Sequence, residues 1–492
     1  MFTLLSLYAI TRCIYNLYLH PLSRFPGPKL AAATTWWRAI GEVFMWENLT
    51  DKLVELHNTY GEIVRIGPNE LHFSRPSVYH EIHNPRNKWN KDPAVYNVFA
   101  DTESTVSICN YEAAKRRREM TLPLFSRRSI VDAHDLIRSC LDKMCTNIDS
   151  IASSGEPVHF FRAFRCFALD AISLMCFGVS PEASLAPHFR STLDGAMHVA
   201  LHDALLVKQF PLLKYLMAYS PQWLVTYTRP ALRSYFEMRR LLNDQVRAVV
   251  SKPNSILDAP HRTIWHAFLF PEEGTPLSEP VLRDEAFVFV NAGADTVSNA
   301  ITVGVLNVVD NRDVYTKLKH ELRCAWPNLK VSPRWEELER LPYLRAVVKE
   351  SLRMVIGVVH PMTRIVPPQG AVLCDMFIPG GTSVGISHYF LHHNEDVFPQ
   401  PRTFKPERWL ARESDKEHML VSFSRGPHSC LGVNMAYCEL YLAFAYFFRR
   451  YDVELNGVSA SDWKVRDRYL AHYEGPDLTA WVTPVSEASP SA

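Results

Sequence analysis

Residues 281–309, VLRDEAFVFVNAGADTVSNAITVGVLNVV, constrain this chain more than any other segment. The run is apolar on nearly every face at helical spacing, so the helix it predicts must be buried all round. At about 1.5 Å per residue that helix would be about 40 Å long, the width of a domain. Ser278 stands ready to cap it, with Pro280 near its first turn. A membrane-spanning reading fails, because Asp295 and three asparagines, Asn291, Asn299 and Asn307, interrupt the run at even intervals. A chain wrapped around such a helix is mainly α.

The other elements fit one compact domain with a minor sheet component, an α+β arrangement. GEIVRIGPNELHFS reads as two short strands about a Pro68-Asn69 turn, and Ser74 and Pro76 mark a helix start. Residues 128–250 carry helical periodicity, and no internal repeat is visible. Of the 492 residues, 47% are apolar and 12% aromatic, enough for a large core. Fifty-three basic side chains against 52 acidic ones leave a net charge of +1, which excludes a nucleic-acid polymer as the expected ligand.

The N-terminus, MFTLLSLYAITRCIYNLYL, is apolar but contains Arg12 and Asn16, and it lacks a small-residue cleavage site. A helical span needs about 20 apolar residues, so residues 1–20 read as a short anchor and residues 21–492 as the globular body. An ordinary buried helix is the alternative. Arg24, Lys29 and Arg38 follow closely, which would keep the body on the cytoplasmic side, as at the endoplasmic reticulum. The prolines of HPLSRFPGPK form a stiff turn between the two parts.

Ten cysteines are scattered without a C-x-x-C pair, against a disulfide scaffold or a structural zinc site. Most suit burial as small apolar residues. Cys430 differs. In FSRGPHSCLGVNMAYCELYLAFAYFF it opens an apolar helical pattern, where the helix dipole and backbone N–H groups favour a thiolate. Gly432 leaves room for a flat partner.

Phe423, Gly426, His428, Cys430 and Gly432 match the pattern F-x-x-G-x-[HR]-x-C-x-G, and here the sequence resembles the cytochrome P-450 family. The resemblance implies a haem b with Cys430 as axial ligand, whose electron donation favours O–O cleavage, and His428 on a haem propionate. AGADTV, residues 292–297, resembles the family's oxygen-binding motif. It implies that Ala292 and Gly293 admit a ligand to the helix backbone, with Thr296 and Asp295 forming a proton relay to solvent. Val297 replaces a frequent second hydroxyl, and the bland reading of Thr296 is a back-bond to its own helix. Glu350 and Arg353 in KESLRM, with Arg408 in FKPERW, are similar to the family's structural Glu-Arg-Arg network. Arg364 in HPMTRIVPP and Arg118 in AAKRRREM match its propionate arginines, although Ala114 and Lys115 depart from the motif. The rest of the KRRR run suits a solvated basic face, or one that docks a redox partner.

The resemblance runs from about Tyr15 to about Pro484 and is closest to membrane-anchored fungal members of secondary metabolism. It implies a monooxygenase that receives electrons from a separate NADPH-cytochrome P-450 reductase and oxidises a lipophilic small molecule, with a terpenoid as first expectation. Its pocket is expected at residues 89–110, 204–226 and Phe289–Thr296. Two rivals use the same cysteine: an isomerase or dehydratase needing no external electrons, and a non-catalytic haem sensor.

Overall fold

The structure is a computed structural model that describes residues 2–97, 103–193, 196, 206, 208–210, 212, 220–230, 232–411 and 414–485. Part of the expected pocket, residues 98–102 and most of 204–219, lies outside the described residues.

Residues 281–309 lie in the central helix, Glu279–Asp310. Ser278 occupies its cap position, but its side chain makes no capping bond. The three asparagines divide in use. Asn291 and Asn307 donate back to Phe287 O and Val303 O of their own helix, and Asn299 reaches out to Ala471 O at 2.9 Å.

Several helices pack on this rod. Helix Phe160–Phe177 is buried along nearly its whole length, and Gly293 lets it approach: a Cβ there would lie 2.5 Å from Ile172 Cγ1. Helices Pro342–Val355 and Val433–Arg450 converge at Gly304, where a Cβ would collide with Ser351 and Phe444. Helix His134–Ser153 packs outside them through a stripe of Ile137, Leu141, Met144, Ile148 and Ile151 at helical spacing.

The sheet component is small. Ile63–Gly67, Glu70–Phe73, Ser383–Gly385, Arg364–Ile365 and Asn90–Lys91 form one five-stranded mixed sheet in that order, and the 63–73 hairpin appears as its sequence suggests. A separate hairpin, Lys464–Arg468 with Leu470–Glu474, turns at Tyr469. At the N-terminus, helix Phe2–Ile14 runs into a turn at Tyr15–Leu19 and leaves Leu4, Leu7, Tyr8, Ile10 and Leu19 exposed. Among the described residues, no helix is long and apolar enough to cross a membrane.

Candidate active site

The cysteine loop is closed by its own backbone. Cys430 N–H donates to Phe423 O at 2.7 Å. Gly426 has φ +72°, and a Cβ there would strike the His83 carbonyl, so glycine is required twice over. The Gly432 N–H meets the sulfur, and helix Val433–Arg450 starts at the next residue, placing its positive end at Cys430. The Cys430 side chain is open to a cleft but otherwise enclosed by protein. Burial pushes its thiol pKa up, while the Gly432 N–H and the Arg118 guanidinium pull it down. Beside Gly432 nothing lies within 4 Å of a Cβ position.

Four basic side chains gather at one edge of this loop. Arg118, on helix Tyr111–Thr121, donates from Nη1 to Ser429 O at 2.6 Å. Arg364 donates from Nη1 to Tyr96 Oη at 2.6 Å and to the carbonyls of Met362 and Thr363. Lys91, paired with Arg364 across the sheet, donates to Val106 O at 2.7 Å. His428 Nε2 donates to Trp89 O at 3.1 Å. Burial, then Arg364 and Lys91, hold the His428 pKa down to about 3, and burial, then Arg364, bring Lys91 to about 7. Basic groups that depress one another's charge form an anion site. A haem, a flat ring with two carboxylates, fits both this edge and the open side of Gly432. The expectation for His428 needs correction: its Nε2–H is spent on a carbonyl, so only Nδ1 remains for an anion, and that atom donates only from a protonated ring.

The central helix forms the facing wall. Asn434 donates to Phe125 O at 2.9 Å, and the Phe125 ring lies parallel to Phe289, 5.7 Å away, so the cysteine helix and this helix face are joined through one phenyl group. Ala292 is exposed and Thr296 partly so, in the middle of a helix buried elsewhere. Thr296 Oγ1 donates to Ala292 O at 2.8 Å, which is the bland reading of this residue. Two expectations change here. Gly293 faces Ile172 and serves helix packing, so Ala292 alone opens the backbone to a ligand. Asp295 does not reach solvent: it is 3% exposed and accepts from Arg165 Nε at 2.9 Å.

Glu350, Arg353 and Arg408 come together beneath the loop. Glu350 accepts from Arg353 Nε at 2.9 Å and Nη2 at 2.8 Å, from Arg408 Nε at 3.1 Å, from Trp409 Nε1 at 2.8 Å and from Lys405 N at 2.9 Å. Arg353 Nη1 also binds His392 O and Pro401 O. Every charge is buried and every bond is charge-assisted. Arg165, Lys91 and Glu285 were not singled out in the sequence. An arginine inside FFRAFRCFALD is a signal, since a charge on a buried face needs a partner, but the partner's identity is not local.

A cytochrome P-450 family model matches residues 28–467. The chain belongs to the cytochrome P-450 family. It is 34% identical to cytochrome P-450 monooxygenase flvC of Aspergillus flavus, covering 96% of this chain and 94% of the relative. Monooxygenase macH of Penicillium terrestre is 32% identical over the same shares. N-acetyltryptophan 6-hydroxylase ivoC of Emericella nidulans is 30% identical over 94% and 92%. This P-450 is therefore a monooxygenase with fungal relatives. The family's haem is the group that the cleft fits, and the mainly α fold with small sheets is the family's own.

Proposed function

We propose that this P-450, which would hold a haem through Cys430, oxidises a lipophilic, uncharged molecule of fungal secondary metabolism. The basic edge formed by Arg118, Arg364 and Lys91 beside the cysteine loop carries this reading, because it presents positive charge for two carboxylates next to a thiolate position. Once bound, the haem supplies the activation of dioxygen. The chain's own residues do the rest. The Gly432 N–H and the helix N-terminus stabilise the sulfur anion. Thr296 offers a hydroxyl in the cleft, and Asp295 holds the neighbouring acid, which must leave Arg165 to pass a proton.

A terpenoid is the first substrate class, and indole compounds are the second, on the strength of the relative that hydroxylates N-acetyltryptophan. The described pocket walls favour an uncharged molecule. Val95, Tyr96, Tyr469 and Leu470 form an apolar cluster with Val106, Val358 and Met362. Nearby cations already have partners: Arg38 is paired with Glu42 and Glu70, and Lys208 donates a hydrogen bond to His360 Nε2. Electrons would come from an NADPH-dependent P-450 reductase. The exposed apolar N-terminal helix would hold the protein at the endoplasmic reticulum membrane, with the domain facing the cytoplasm.

Carbon monoxide added to the reduced protein tests the ligand. A Soret band near ~450 nm is expected from a thiolate ligand, and Cys430→Ala should lose it. A band near ~420 nm in intact protein, or retention in the variant, would overturn the assignment.

A further inference from the structure

Central-helix positions 285, 289, 292, 296 and 299 are spaced four, three, four and three apart and so share one face. The middle of that face is the open part, Ala292 and Thr296. A polar residue stands at each end, and both are buried: Glu285 fully, Asn299 to within 4%. Apolar neighbours make a carboxylate and an amide costly there unless each holds something.

Glu285 holds a loop. It accepts from Thr105 N and Thr105 Oγ1, both at 2.9 Å, and from Arg117 Nη1 at 2.5 Å. Arg117 also donates to Glu103 O, and Lys91 Nζ grips Thr105 O and Val106 O from the far side. Asn299 holds a hairpin through Ala471 O at 2.9 Å. The hairpin's turn residue, Tyr469, has φ +79°, a left-handed conformation that a bulky side chain rarely adopts. It is kept there by Tyr469 N donating to Asp467 Oδ1 at 2.9 Å, His360 N donating to Tyr469 O, and Ala471 N donating to Gly357 O. Such overdetermined strain marks positions that function needs fixed. The loop and hairpin then meet, with Val106 and Cys109 joining Tyr469 and Leu470 in one apolar cluster.

We propose that Glu285 and Asn299 are positioning residues that suspend a roof over Ala292 and Thr296, and that this roof sets the size of the uncharged molecule admitted to the haem. The proposal rests on the haem reading and deepens it. The bridge runs from Glu285 through Thr105 and Val106 to Leu470 and Ala471, and back to the helix at Asn299. Its feet are fourteen residues apart, about 21 Å along the axis. Its underside offers apolar side chains and no unpaired charge among the residues described, so it discriminates by size and shape.

The test uses the full-length holoenzyme and two azoles that ligate the iron, imidazole as the small probe and clotrimazole as the bulky one, with binding read from the shift of the Soret band. Asn299→Leu removes one support and Thr105→Val weakens the other. Both should keep the thiolate band and the wild-type imidazole Kd. The ratio of clotrimazole Kd to imidazole Kd should fall at least about fivefold in each. An unchanged ratio in Thr105→Val, whose site lies in a loop and which decides the matter should Asn299→Leu fail to accumulate, overturns the roof. Absence of the thiolate band from the wild type itself would instead strike the haem reading.

Discussion

Asp295 accepts a hydrogen bond from Arg165 Nε at 2.9 Å, across 130 residues of sequence and between the central helix and helix Phe160–Phe177. The acid of the AGADTV motif is thus an ion-pair partner at rest. Breaking one side of a buried pair costs on the order of 3 kcal/mol. Arg165→Ala and Asp295→Ala should each lower the urea midpoint, and the double variant should be more stable than their sum by at least about 1 kcal/mol. Additive losses would show that the two are not coupled.

Thr296→Val keeps the shape and removes the hydroxyl that now donates to Ala292 O. Electrons should then be diverted to hydrogen peroxide, with product per NADPH falling at least about fivefold, a barrier change of about 1 kcal/mol. Peroxide release measured alongside NADPH consumption checks this. Unchanged coupling would remove Thr296 from proton delivery.

Glu350 accepts five hydrogen bonds with no exposure to water. Glu350→Gln leaves Arg353 and Arg408 buried without their counter-charge, at a cost on the order of 3–5 kcal/mol. The variant should lose its thiolate band at clearly lower urea than the wild type. An unmoved midpoint would make the network dispensable.

Acid should destabilise the fold early. Burial, then Arg364, lowers the His388 pKa to about 4, and burial, then Arg353, lowers His393 to about 3. The unfolded chain takes up these protons near pH 6.5 and the folded one does not, so stability present above about 6.5 drains away as pH falls toward 4. Urea midpoints between pH 7.5 and 4.5 should show that decline, and His388→Gln should flatten it. An equal slope in the variant would mean that His388 is charged in the fold.

What the sequence showed clearly was local. The central helix and cysteine loop were legible because burial follows period and the loop's chemistry follows spacing within ten residues. The Glu350–Arg353 half of the network lies within one turn. What stayed hidden were partners far along the chain: Arg165 for Asp295, Thr105 for Glu285, Ala471 for Asn299. Periodicity reports which side of a helix is covered, and it carries no record of what covers it. The same limit explains KRRR. Lys115 and Arg116 are exposed, as a solvated face would be, whereas Arg117 and Arg118 turn inward to Glu285 and Ser429.

Those two inward arginines are consecutive on one helix, and their hands hold different things. Arg117 grips Glu285 of the central helix, and Arg118 grips the carbonyl of Ser429, next to Cys430. The helix is therefore a lever with a single fulcrum. Moving the Thr105 loop that Glu285 and Arg117 hold would shift the same helix whose next residue fixes the carbonyl beside Cys430.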